Sequence, residues 1–184
     1  MVATQSNMLP LGTIAPSFSL LDPRSNEFVS FSNKSKGRGF LIGFICDHCP
    51  YVVHLKDHFP LLFHSFLKKD VQVFLISSND PVKYPDDSPE NMAVDAKKLG
   101  FEFPYLFDED QEAAKSYQAA CTPDFFLFNQ TKELFYRGQY DGSRPGNGIN
   151  VSGCDISEAV NLMLNGDNSP VNQIPSIGCN IKWR

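Results

Sequence analysis

The sequence predicts an α/β fold: a central mixed β-sheet flanked by helices and extended by an N-terminal β-hairpin. Three observations carry this. Residues 39–45, GFLIGFI, are apolar at nearly every position, as suits a central parallel strand covered on both faces. Directly behind them Val52, Leu55, Phe59, Leu62 and Phe66 recur at three- and four-residue steps, the stripe of a core-facing helix. Farther on, DFFLFN (124–129) and ELFYRGQY (133–140) pair as an antiparallel hairpin across QTK. A β-α-β beginning and a hairpin ending make the sheet mixed.

In chain order, SFSLLDPRSNEFVSF (17–31) reads as two short strands around an Asp-Pro-Arg-Ser-Asn turn, the N-terminal hairpin. The strand at 39–45 leads into the helix behind Pro50. Pro60 should kink that helix without ending it, since the stripe runs on through it. VQVFLISSN (71–79) is a second buried strand. Ser88 as cap, Pro89 at the first position and Gly100 as stop mark a helix over 89–99. FPYLFD reads as a short strand, and DEDQEAAKSYQAA as a helix capped by Asp108 with Gln111 placed for a capping box. The last helix runs from Asp155, with Glu158 three residues on, to Gly166. Residues 167–184 read as an irregular tail, expected to dock through Ile177, Ile181 and Trp183. No repeat or linker interrupts the pattern, so a single domain over 1–184 is expected.

Composition narrows the function. Apolar content of 42% and charged content of 20% are ordinary globular values. With a formal net charge of −5 and no basic cluster beyond pairs such as Lys68–Lys69 and Lys97–Lys98, no nucleic-acid partner is expected. FLIGFI is far too short to span a bilayer, and the N-terminus lacks the basic and long apolar regions of a signal peptide. The expectation is a cytoplasmic protein with no membrane partner. In that reducing compartment, cysteine pairs tend toward metal or redox chemistry.

The chemistry gathers at the strand-to-helix seam, FLIGFICDHCPYVVHL (40–55). Cys46 should sit at or just before a helix N-terminus, where unpaired N–H groups favour an anion and lower a thiol pKa. Cys49, about one turn on, is close enough to close a small disulfide ring. Cys46 is therefore the expected nucleophile and Cys49 the resolving thiol. Between them, His48 favours a thiolate at Cys46 when it donates to it, and Asp47 opposes one. The alternative for the same segment is a zinc site of Cys46, Cys49, His54 and His58. An inert core pair is a third reading, although cysteines at such a seam are usually near the surface.

Downstream, AACTPDFFLF (119–128) places Thr122–Pro123 just before an apolar strand, where an X–Pro bond can be cis. Strand, CxxC, kinked helix, strand, Thr-Pro, strand, hairpin and helix together resemble the thioredoxin fold over most of residues 12–166. The stretches GTIAPSFSLLD, CDHCPYV, SSNDP, SPE, CTPDFFLF, YRGQYDGSRPGNG and PSIGCNIKW are similar to the redoxin (AhpC/TSA-like) branch of that superfamily. The resemblance implies that Thr122 and Pro123 face the dithiol and line the groove for a substrate disulfide, with Cys121 beside them. It also implies thiol–disulfide exchange in redox homeostasis, without a cofactor. The substrate would be a disulfide-bearing protein or a small thiol or hydroperoxide, and a reductase or thiol would supply electrons. Two departures stand out. Ile45 and Asp47–His48 replace the usual thioredoxin residues around the first cysteine. Cys49–Pro50 fits the peroxiredoxin pattern, but Cys46 holds its threonine position. That keeps a thiol peroxidase as an alternative, with Arg137 or Arg144 as the guanidinium it needs. A zinc- or partner-binding module is the other.

The remaining thiols divide. Cys121 is either a redox partner or a small buried residue, Cys154 is incidental, and Cys179 is either packing or a tail thiol that reaches the site.

Overall fold

The computed structural model describes residues 3–184. Strands β1 (Ala3–Gln5), β2 (Phe18–Asp22), β3 (Glu27–Phe31) and β4 (Gly39–Phe44) lead to helices α1 (Pro50–Leu55) and α2 (Phe59–Leu67). Strand β5 (Val71–Ser77), helix α3 (Pro89–Leu99), strand β6 (Tyr105–Phe107) and helix α4 (Glu112–Ser116) follow. Strands β7 (Cys121–Thr122), β8 (Asp124–Asn129) and β9 (Leu134–Gly138), helix α5 (Cys154–Asn165) and strand β10 (Ile177–Asn180) complete the order.

Seven strands form one mixed sheet in the order β3-β2-β6-β5-β4-β8-β9. The β4 strand lies near its middle, parallel to β5 and antiparallel to β8. Every residue of β4 is buried, which explains its unbroken apolar run. Its side chains nonetheless alternate between two cores. Leu41 joins Phe59, Phe63, Val73, Phe125 and Val160 on the face covered by α2 and α5. Phe40, Ile42 and Phe44 join Phe31, Phe74, Tyr117 and Phe126 on the other. Fully burying one such phenylalanine stabilises the fold by about 2–3 kcal/mol, so the sheet fixes the end of β4 firmly. The predicted N-terminal hairpin is β2–β3, joined to the main sheet through Leu21 opposite Phe107.

Four expectations change. The kinked helix is broken in two by a 3-10 turn over Lys56–His58. Pro60 has no N–H to donate back to Lys56, and its ring crowds that carbonyl. The helix expected from 108 is only α4, because Gln111 takes a left-handed conformation at φ 62°. Its amide serves Ser78 and Lys182 carbonyls, so no capping box forms, while Asp108 still accepts from the N–H groups of Ala113 and Ala114. Helix α5 begins at Cys154, one residue earlier than expected, behind Gly153. Finally, the tail is not irregular throughout: β10 pairs with β1 and β7 in a second, three-stranded sheet. Ile181 is buried there, Ile177 is half-buried, and Trp183 stays exposed.

Candidate active site

The Ile45 N–H donates to the Ile76 carbonyl at 2.9 Å, so the chain follows β5 up to the seam and turns only at Cys46. Helix α1 starts at Pro50, which makes Cys49 its cap residue. Cys46 therefore lies three residues before that cap, and Cys49 stands at the mouth of the helix.

Both sulfurs converge on Thr122. Cys46 Sγ lies 3.3 Å from Thr122 Oγ1, and Cys49 Sγ lies 3.1 Å from the Thr122 carbonyl oxygen. The Thr122–Pro123 peptide is cis. Both thiols are buried, at 1% and 0% exposure, against the expectation of a pair near the surface.

Each thiol acts on the other, and this splits their acidities. Cys49 is lowered from 9.0 to about 5, first by Cys46 and then by the Cys179 thiol and the backbone N–H groups of Val52 and Cys179, against the effect of burial. Cys46 is pushed well above 9.0, first by Cys49, then by burial and the charge of Asp87. The Thr122 carbonyl beside Cys49 favours a protonated thiol there, but more donors than that one acceptor converge on Cys49. The resting negative charge is therefore drawn to Cys49.

Asp87 is the residue that sequence reasoning missed. It is fully buried at the end of the loop before α3. Its carboxylate accepts from the Asp47 N–H at 2.8 Å, the His48 N–H at 3.3 Å and Asn79 Nδ2 at 2.7 Å. Nδ1 of His48 lies 2.6 Å from Oδ2, the same oxygen that accepts from Asn79. It thus takes the loop amides that a Cys46 thiolate would otherwise draw on. His48 stacks on Tyr84 at 5.5 Å with an interplanar angle of 7°. The expected contest between His48 and Asp47 is recast: His48 is tied to Asp87, and Asp87 is the acid that acts on Cys46. Asp47 accepts from Tyr105 Oη at 3.0 Å, and burial raises it from 3.8 to about 7. No sequence signal marks Asp87 or Tyr105, since their roles depend on where two distant loops land.

The other thiols lie around this centre. Cys179 on β10 stands opposite Thr122, in the same buried cluster as Cys46 and Cys49. Burial, followed by the neighbouring Cys49, raises Cys179 from 9.0 to about 12. Cys121 is buried next door, its thiol 3.6 Å from the Pro123 carbonyl oxygen and its pKa pushed far up by burial and then by Asp124. Cys154 is exposed at the start of α5.

The alternative zinc set of Cys46, Cys49, His54 and His58 is not assembled among the described residues. His58 Nδ1 bonds to Tyr140 Oη at 2.7 Å, across α5's side of the sheet. Among the described residues, Cys46, His48 and Asp87 bring ligand-type atoms within 4.8 Å of one another, but Asp87 already accepts from the groups named above. Neither arginine reaches the thiols by hydrogen bond: Arg137 serves Leu9 and Gln173, and Arg144 serves Gln139, Asp141 and Ser143. Among the described residues no helix is long and apolar enough to cross a membrane.

Comparison with known proteins agrees with this architecture. A family model described as the AhpC/TSA family matches residues 11–137. The uncharacterized conserved protein from Geobacillus kaustophilus superposes with a TM-score of 0.97 at 47% identity, covering 100% of this chain and 97% of its own. A hypothetical protein from Sinorhizobium meliloti gives 0.95 at 40% identity, covering 98% of each chain. The thioredoxin domain of a thiol-disulfide oxidoreductase from Bacteroides vulgatus gives 0.59 at 16% identity, covering 71% of this chain and 89% of that one, a likeness of fold. Among curated proteins, none matches this chain.

Proposed function

Because the chain belongs to the AhpC/TSA family and has the thioredoxin-like fold, we propose that it is a thiol–disulfide oxidoreductase whose redox couple is Cys46 and Cys49. The observation that carries this is the convergence of both sulfurs on one residue, Thr122, beside the cis-proline.

Thr122 provides a partner for each thiol at the step where it is needed. A proton passing from Cys46 to Cys49 leaves a Cys46 thiolate that accepts from Thr122 Oγ1, while the protonated Cys49 donates to the Thr122 carbonyl. The Cys46 thiolate attacks one sulfur of a substrate disulfide, and the other sulfur leaves as a thiolate. Cys49 then loses its proton and attacks Cys46, releasing the second substrate thiol and closing the Cys46–Cys49 disulfide. A donor thiol or reductase reopens it, as a reducing cytoplasm allows. Both sulfurs are buried, so each turnover begins with an opening movement around them. Pro123 and Cys121 form the floor against which the substrate sulfur is placed. His48 and Asp47, held by Asp87 and Tyr105, keep the loop in shape.

The test is reduction of a small aromatic disulfide followed by absorbance. Cys46→Ser should reduce the rate at least about a hundredfold, since thiolate attack is lost. A rate equal to wild type would end the proposal.

One observation favours a second reading, a thiol peroxidase. The resting charge is drawn to Cys49, the cysteine followed by Pro50. Here the Cys49 thiolate attacks a hydroperoxide, is oxidised to sulfenate while the alcohol leaves, and condenses with Cys46 to the disulfide with loss of water. Stopped-flow peroxide consumption separates the two, because under this reading Cys46→Ser keeps the first step. A wild-type rate no faster than that of free cysteine excludes it.

A further inference from the structure

We infer that Cys179 is a third redox thiol of this site, one that takes the disulfide over from Cys46 by bonding to Cys49. The inference rests on the dithiol reading above and extends it.

The placement is built into the backbone. Strand β10 lies antiparallel along the edge of β7, with Cys179 opposite Thr122 and Asn180 opposite Cys121. That approach is so close that a Cβ on Gly178 would lie 1.9 Å from the Thr122 carbonyl oxygen. Only glycine lets the strand sit there. Cys179 is thereby pressed to 3% exposure against the same residue on which Cys46 and Cys49 converge, within one buried cluster that holds all three cysteines. Three thiols are thus gathered around one threonine.

The chemistry follows from what changes on oxidation. In the dithiol state Cys179 keeps its proton, because burial and the contact with a negatively charged Cys49 both hold it there. Once Cys49 is part of a disulfide, its charge and its acceptor role are gone. Burial still opposes ionisation of Cys179, but the charge of Lys182 favours it. Cys179 then attacks Cys49 Sγ. The Cys49–Cys179 bond forms, the Cys46–Cys49 bond breaks with its electron pair going to Cys46, and the proton given up by Cys179 ends on Cys46. No external oxidant is consumed. The result returns Cys46 to the thiol form while the chain still stores the two-electron oxidation, now between α1 and the tail strand.

The test uses oxidised glutathione on the full chain, acid quench, alkylation of remaining thiols and mass mapping of linked peptides. In Cys46→Ser the faster nucleophile is gone, so incubation is prolonged with excess oxidised glutathione until the slower Cys49 attack has taken up one glutathione and released the other. Cys179 should then displace the second glutathione, so that the adduct is lost and a Cys49–Cys179 peptide replaces it. In the double variant with Cys179→Ser the adduct should persist. A persistent adduct in Cys46→Ser with Cys179 alkylated, or a Cys49–Cys121 link in its place, overturns the inference. If Cys46→Ser does not fold, Cys46→Ala serves the same test. Wild type run in parallel keeps the two claims apart. A Cys46–Cys49 peptide there, with the adduct persisting in the variant, overturns only the third thiol. Cys46 and Cys49 both remaining alkylatable in wild type overturns the dithiol reading itself.

Discussion

Replacing Asp124 by asparagine should remove a large part of the alkaline loss of stability. Asp124 opens β8 directly after Pro123 and lies opposite Phe44 across the sheet. It is fully buried. One carboxyl oxygen accepts only a long bond from the Ala120 N–H at 3.4 Å, and the other has no hydrogen-bond partner among the described residues. Burial raises it from 3.8 to about 8. The native state therefore holds this proton where the unfolded chain has lost it. The contribution is fully present below about pH 4, shrinks as pH rises, and is gone above about pH 8. Between pH 5 and pH 9 the interval up to the native pKa is about 3 units, or roughly 4 kcal/mol at 1.36 kcal/mol per unit. Asparagine fills the same volume and does not titrate. Urea unfolding under reducing conditions, at both pH values, should show wild type losing about 4 kcal/mol more than Asp124→Asn. Parallel pH profiles for the two proteins would refute the argument from burial.

Other consequences are as direct. Asp87→Asn puts an amide donor where the Asn79 side-chain amide needs an acceptor, so stability should fall by about 1–3 kcal/mol in the same unfolding assay; a change within error would show that the loop holds itself. The same change removes the charge that raises Cys46, so at pH 7 alkylation of Cys46 should quicken relative to Cys49, measured by mass mapping. Gly178→Ala should cost about 1–3 kcal/mol by overpacking. That raises the opening of β10 roughly 5- to 150-fold, read as faster maleimide labelling of Cys179; unchanged labelling would mean that the strand absorbs the methyl group without moving.

What the sequence made legible was local or periodic. The continuous run at Gly39–Phe44 and the helix marks at Ser88, Pro89 and Gly100 correspond to β4 and α3, because burial on two faces and capping leave direct traces in residue choice. The CxxC pair and Thr122–Pro123, far apart in the chain, meet as the resemblance implied. The failures are of another kind. Gln111 and Pro60 change backbone geometry at single points, and their tertiary partners decide how far a helix reaches. Strand β10 carries too short a pattern to stand out, and its register depends on β1 and β7. Asp87 has ordinary neighbours in sequence; only the packing of its loop over residues 47 and 48 gives it a role. The acidities of the two thiols depend on their mutual packing, on burial and on Asp87, none of which a linear sequence displays.

The second sheet also imposes an order on biosynthesis. Residues 46–49 and 121–123 leave the ribosome well before 177–180, which cover them. Until residues 177–180 emerge, a nascent chain has β7 as an unpaired edge beside the Cys46 and Cys49 sulfurs, and an unpaired edge recruits strands from other chains. Expression that stalls or is cut short before Ile177 should therefore give disulfide-linked aggregates, whereas full translation seals the same surface with the chain's own backbone.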